Sequence, residues 1–326
     1  EMVNPDSDLY RAHPDWTLTT DGYEPVLGRN QLVLDLGRSA VRDFLFGALD
    51  ALLDEYDISY LKWDMNREIV QGSRRGRAGT HDHVLGVYEL MERLRAAHPG
   101  IEIESCASGG GRADLGVLRH TDRIWTSDCN DALERQLIQR GFSMLFPPEV
   151  MGAHIGPERA HTTGRRQDLG FRAATSLFGH LGIEWNLLGA DDDQRKQVAA
   201  AIALYRRLRP LLHSGRVIRG EHPDPAALVH GVVSDDARHG VFAYVQMTPS
   251  ATTTPAPMLL PGLDPALRYR VSVIDDVSWT KEFGRTRPAW LAADVVVPGR
   301  QLIERGLQVP VQHPESAFLV EVRSET

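Results

Sequence analysis

The sequence predicts a parallel α/β domain followed by an all-β antiparallel domain, on three observations. From about residue 31 to 213, short apolar runs alternate with longer segments whose apolar residues recur every three or four positions, which is the pattern of βα units. After His213 the chain breaks into short alternating runs joined by Pro- and Gly-rich connections such as "TTTPAPMLLPG", the pattern of an antiparallel sandwich. Within the first part, polar and charged residues collect at the predicted strand ends, where parallel α/β sheets gather their functional groups.

In order, "LVLDLG" precedes the helical pattern "SAVRDFLFGALDALLDEY", with Ser39 as a cap candidate. "ISYLKWD" and a glycine-rich loop lead to "HVLGVYELMERLRAAHPG", a helix closed by Pro99 and Gly100. "IEIESCASGGG" leads to "RADLGVLRH", and "RIWTSD" leads to "NDALERQLIQRG". "FSMLFPPEVMGAHI" precedes "RQDLGFRAATSLFGH", and "LGIEWNLL" precedes "DQRKQVAAAIALYRRLRPLLH". Beyond them "ALVHGVVS" and "HGVFAYVQMT" flank "DDARHG" as a hairpin, and "LRYRVSVID", "ADVVVPG" and "SAFLVEVR" continue as strands.

Composition narrows the function. The 326 residues are 42% hydrophobic and 25% charged, ordinary globular values. No apolar run approaches the roughly 18 residues of a membrane span, so no membrane partner is expected. The net charge of -8 argues against nucleic acid, and the basic run "SRRGRAG" is short and glycine-flanked, which reads as a solvated loop. Two cysteines, Cys106 and Cys129, are too few for a disulfide framework and fit a reducing cytoplasm. The opening "EMVNPDSDLYRAHPDW" reads as the middle of something, and missing sequence upstream is expected.

The chemistry centres on "YLKWDMNRE". A strand alternates faces, so Tyr60, Lys62 and Asp64 point one way while Leu61 and Trp63 point the other. In "RIWTSD", by the same rule, Ile124, Thr126 and Asp128 share one face and Trp125 and Ser127 the other. Two aspartates at nearby strand ends suit a glycosidase, in which one carboxylate attacks the anomeric carbon and the other protonates the leaving oxygen. The plainer alternatives stand beside this. Asp128 before "CNDALERQ" has the makings of a helix cap, and "SGGGR" those of a tight turn. That run lacks the spaced glycines of a dinucleotide site. His81 and His83 in "HDH" have no partner at ligand spacing, so no metal is expected. His154, and His161 with Arg165, either line a pocket or satisfy loop backbone.

Taken together, "EMVNPDSDLYRAHPDW", "GRNQLVLDLG", "YLKWDMNR", "ESCASGGGRADLGVL", "RIWTSDCNDALERQLIQRG" and "GAHIG...HTTGR" resemble glycoside hydrolase family 36, the microbial α-galactosidases. The resemblance runs in order from residue 1 to about 213. "YLKWD" and "WTSD" are specific to the wider α-galactosidase clan, and the final hundred residues match only in architecture. It implies a (β/α)8 barrel lacking its first strands over residues 1–215, from the end of strand 3 to helix 8, then a β-sandwich over 216–326. It implies Asp64 as nucleophile and Asp128 as acid/base, with Arg29, Lys62, Asn66, Cys106 and Gly109 contacting the galactosyl unit. The activity it implies is retaining hydrolysis of terminal α-linked galactose from melibiose- or raffinose-type sugars, with no cofactor. A related α-N-acetylgalactosaminidase, a galactosyltransferase of the raffinose-synthase kind and a non-catalytic fragment stay open, as does a homo-oligomer of the full-length form. Cys129 departs from the family pattern beside the acid/base. The first barrel strands, which in the family supply galactose-gripping residues, have no counterpart here. Expressed alone, the 326 residues are therefore expected to be poorly soluble and inactive.

Overall fold

The computed structural model describes residues 1–275, 282 and 287–325. They form two compact units, Glu1–Asp128 and Cys129–Thr326.

The first unit opens with β1 (Met2–Val3), α1 (Asp8–Ala12) and β2 (Leu32–Val33). β1 and β2 pair antiparallel. "LVLDLG" is thus no parallel strand, contrary to the sequence reading. It is apolar because Leu32, Val33, Leu34 and Leu36 are all buried, the first two in β2 and the other two in the irregular segment that follows it. Helix α2 (Ser39–Glu55) starts without a side-chain cap. Arg38 holds the cap position and Ser39 is already helical. Strand β3 (Tyr60–Asp64) is followed by the small hairpin β4 (Ser73–Arg74) and β5 (Arg77–Ala78). The basic run is therefore a hairpin, not a free loop, and its Arg74 reaches the buried Asp35 at 3.7 Å. Helix α3 (Thr80–Ala97) buries Val87, Leu90, Met91 and Leu94, one face at helical spacing. A Cβ on Gly86 would lie 2.0 Å from the Leu36 carbonyl oxygen, so only glycine lets α3 settle on that segment. Strands β6 (Glu102–Cys106) and β7 (Arg123–Trp125) complete the parallel order β3–β6–β7. "RADLGVLRH" forms only a 3-10 turn, Val117–Arg119.

The second unit begins with α4 (Ala132–Phe142) and the parallel pair β8 (Met151–Ile155) and β9 (His180–Ile183), with α5 (Leu169–Ser176) between them. Helix α6 (Asp192–Leu212) starts at a capping box, Asp191 with Gln194. Six antiparallel strands follow: β10 (Arg216–Gly220), β11 (Ala227–Val233), β12 (His239–Gln246), β13 (Arg268–Val273), β14 (Val295–Pro298) and β15 (Ser316–Ser324), with α7 (Gly299–Glu304) before the last. Their order is β10-β11-β12-β15-β13-β14, and the predicted hairpin is β11 against β12. Both faces of the sheet are covered. Val241, Ala243 and Val245 pack with α5 and α6, while Phe242 and Tyr244 pack on the other side with Met258, Leu260 and Leu302.

An ion cluster fastens α6 to this sheet. Glu321 on β15 receives Arg207 of α6 at 2.6 Å, His239 of β12 at 2.8 Å and Arg323 at 2.6 Å. Burial alone would raise its pKa, but these donors outweigh burial and hold it at about 2. A depressed carboxylate pKa gives stability that is present above the ordinary value near 4.5 and lost as pH falls from there toward 2. Glu321→Gln is expected to cost on the order of 2–3 kcal/mol at pH 7 and little at pH 2. Denaturant unfolding at the two pH values checks this. An equal loss at both would remove the charge from the explanation.

Candidate active site

Asp64 ends β3, where the parallel register sets it opposite Cys106 at the end of β6. Alternation along β3 follows the sequence reading. Trp63 turns away and donates its Nε1–H to Glu1 Oε1 at 2.6 Å. Asp64 Oδ2 accepts from Asn66 Nδ2, while the buried Oδ1 has no hydrogen-bond partner among the described residues. One carboxylate oxygen is thus held and the other left over. Cys106 is only 1% exposed, so it sits beneath Asp64 rather than open to solvent. Burial, and then the neighbouring Asp64 carboxylate, push its thiol up to about 12 against the Gly109 N–H, which favours the thiolate. Cys106 stays a protonated, inert neighbour.

The glycine-rich turn has a steric reason. Ser108 and Gly109 both take positive φ, 49° and 85°. A Cβ on Gly109 would lie 2.9 Å from the Asp128 backbone N, and one on Gly110 would lie 2.5 Å from the Thr126 carbonyl oxygen. The turn is glycine-rich because it lies against the backbone of Thr126–Asp128. That closeness brings both aspartates to one turn, Asp64 through Cys106 and Asp128 through Gly109.

Strand β7 ends at Trp125, so the face alternation expected through Asp128 does not hold. Trp125 donates Nε1–H to Asp128 Oδ1 at 2.9 Å, and Lys62 Nζ stands 4.5 Å from the centroid of the same ring. Trp125, assigned to the opposite face from the sequence, belongs to the site. Asp128 is not a helix cap. Asp131 caps α4, with Oδ1 accepting from Leu133 N at 2.9 Å and Glu134 N at 3.3 Å.

Arg29 is exposed on the turn Gly28–Gln31 with φ 52°. Arg67, three residues after Asp64, ties that loop down by donating to the carbonyls of Val26 and Gln31. The structure also supplies a buried cluster that sequence reasoning missed. Glu1 Oε1 accepts from Arg112 Nη1 at 2.6 Å as well as from Trp63, and Oε2 meets His83 Nε2 at 3.2 Å. Arg112 continues to the Cys106 carbonyl at 3.2 Å. Burial would raise the Glu1 carboxyl, yet His83 and then Arg112 hold it near 2. His83 of the "HDH" run is therefore occupied by Glu1 and by the Leu36 N–H. Among the described residues no His, Cys, Asp and Glu grouping could hold a metal ion.

In the second unit His154, the penultimate residue of β8, has Nδ1 3.4 Å from Glu184 Oε2. Arg165 binds Asp131 at 2.6 Å, securing the start of α4. Thr162 Oγ1 donates to Cys129 Sγ at 3.2 Å.

Residues 1–215 match the Melibiase family model, and residues 227–322 match the glycosyl hydrolase family 36 C-terminal domain. The chain is 44% identical to an alpha-galactosidase of Escherichia coli over 325 residues, covering 98% of this chain and 46% of that protein. Among solved structures it is similar to the alpha-galactosidase of Lactobacillus brevis, with TM-score 0.88 and 34% identity over 100% of this chain and 44% of that one. A variant of the GH36 alpha-galactosidase AgaA of Geobacillus stearothermophilus, in complex with raffinose, gives TM-score 0.87 and 29% identity over 100% of this chain and 44% of that one. The chain thus spans 46% of the length of the first of the curated relatives it matches, and 36% and 29% of the next two.

Proposed function

This chain belongs to the Melibiase family, glycoside hydrolase family 36, and from that membership we propose that it carries the catalytic aspartates of a retaining α-galactosidase acting on melibiose- or raffinose-type oligosaccharides. Asp64 attacks the anomeric carbon, with its carboxylate oriented by Asn66 through Oδ2. Asp128 protonates the departing oxygen, then activates water against the β-linked glycosyl-enzyme, so that two inversions restore the α configuration. The observation that carries this reading is the pair of aspartates on either side of one turn, one with an unengaged oxygen and the other anchored by Trp125.

The same reading divides the chain into a partial barrel over 1–215 and a C-terminal domain over 216–326, which the ranges of the two family models support. No helix among the described residues is long and apolar enough to cross a membrane. A cytoplasmic place for the protein is part of the proposal, supported by a sequence with two cysteines, too few for a disulfide framework.

The test is hydrolysis of a panel of aryl α-glycosides, measured on the chain itself and on a form at the full length of its relatives. The full-length form is expected to cleave the galactoside fastest, with proton NMR showing the α-anomer as the first product, and the chain alone to show no useful activity. Preference for the N-acetylgalactosaminide, or a first product of β configuration, would overturn the reading. Two binding roles follow. Hydrogen bonds to charged donors contribute roughly 1.5–3 kcal/mol, so Lys62→Ala at full length should cost at least about tenfold in kcat/KM. Arg29→Ala should act in the same direction. A galactose-bound structure with both side chains turned away would end this assignment.

A further inference from the structure

Glu104 is a buried acidic residue that the mechanism leaves without a task. It lies on β6, directly across the parallel register from Lys62 and on the same face as Cys106. Its side chain is 1% exposed, and Oε1 is buried with no hydrogen-bond partner among the described residues. Lys62 Nζ stands 3.9 Å from that oxygen. On its other side the ammonium rests on the Trp125 ring. Tyr60 is a further neighbour, its hydroxyl pKa raised first by burial and then by the charge and hydrogen bond of Glu104. Arg123, across the β6–β7 register from Glu104, is turned to Glu102 and to the Tyr60 ring.

We propose that Glu104 is a positioning residue that tethers the Lys62 ammonium over the site so that its N–H donors face the bound sugar. The inference rests on the galactosidase reading above. An ammonium carries three donors on a flexible stem, and ordering such a stem costs rotamer entropy. A carboxylate and an aromatic face both attract the cation. At 3.9 Å the carboxylate attracts without closing a hydrogen bond, so the donors stay available. Keeping a carboxylate buried with an unengaged oxygen is costly. A residue needed only for packing would be better served by an apolar side chain. The pair explains why "ESC" and "LKW" align in register. Glu104 sets the lysine as Cys106 underlies the aspartate, one layer deeper.

The experiment is a double-substitution cycle on the form at the full length of its relatives. Activity of the unsubstituted protein on an aryl α-galactoside is measured first, since its absence overturns the reading and this inference with it. With an active parent, Glu104→Gln is expected to raise KM by roughly tenfold, with kcat changed much less, as for loss of uniform binding. In Lys62→Met, adding Glu104→Gln is expected to change KM less than about twofold, because the tether has nothing left to hold. Glu104→Asp keeps the charge and should restore part of the affinity. If Glu104→Gln does not fold, Glu104→Asp is carried through the same cycle. Unchanged KM, or losses that multiply in the double variant, would leave Glu104 a packing residue and the galactosidase reading intact.

Discussion

Replacing Asp64 by glycine, in the form at the full length of its relatives, should lower turnover of α-galactosides by several orders of magnitude while the protein still folds. The chemistry of double displacement has no route without the nucleophile. The fold has less to lose, because among the described residues Asp64 Oδ1 has no hydrogen-bond partner and Oδ2 accepts from Asn66. Leaving the Asn66 amide and the Cys106 thiol without their carboxylate should cost about 1–3 kcal/mol, a fraction of a domain's stability. The vacated space lies where the attacking oxygen was, so azide should restore part of the activity and yield a β-galactosyl azide. Two measurements decide it: turnover of an aryl galactoside with and without azide, and thermal unfolding of both proteins. Near-normal turnover in a folded variant would remove Asp64 from the chemistry.

How far such a site can be read from sequence depends on whether local periodicity survives folding. It survives in β3, where strict alternation set Lys62 and Asp64 apart from Trp63. It fails in "RIWTSD", because β7 stops at Trp125 and the chain bends back until the indole meets Asp128. The same rule applied to "IEIESC" points to Glu104, since a residue two before Cys106 shares its face. Glu1 and Arg112 carry no local signal. Their meeting is long-range, 111 positions apart, and periodicity cannot express it. The alternation of strands and helices was legible because it follows amphipathic periods. "LVLDLG" misled because burial alone makes a run apolar, whether or not it pairs in a sheet.

Asp128→Ala should divide substrates by leaving group. General acid catalysis contributes roughly 10²–10⁴-fold where the departing oxygen is a poor leaving group, so natural sugars such as melibiose should lose most of their rate. An activated aryl galactoside leaves without protonation, and formation of the glycosyl-enzyme from it should be nearly unimpaired. Hydrolysis of that intermediate still needs a base, so it should accumulate and give a burst of aryl product followed by a slow phase. Azide, which needs no base, should shorten the slow phase. Trp125 bears on the same point. Its Nε1–H fixes the carboxyl through Oδ1, leaving Oδ2 as the oxygen to carry the proton, so Trp125→Phe should weaken the same discrimination more mildly. The competing role for Asp128, a helix cap, makes the opposite demand. Helix α4 already takes its cap from Asp131, which also holds Arg165 and Thr163, so Asp131→Ala should destabilise by about 3 kcal/mol or more and Asp128→Ala by much less. Equal losses on melibiose and on the activated galactoside, without a burst, would strip Asp128 of the acid/base role.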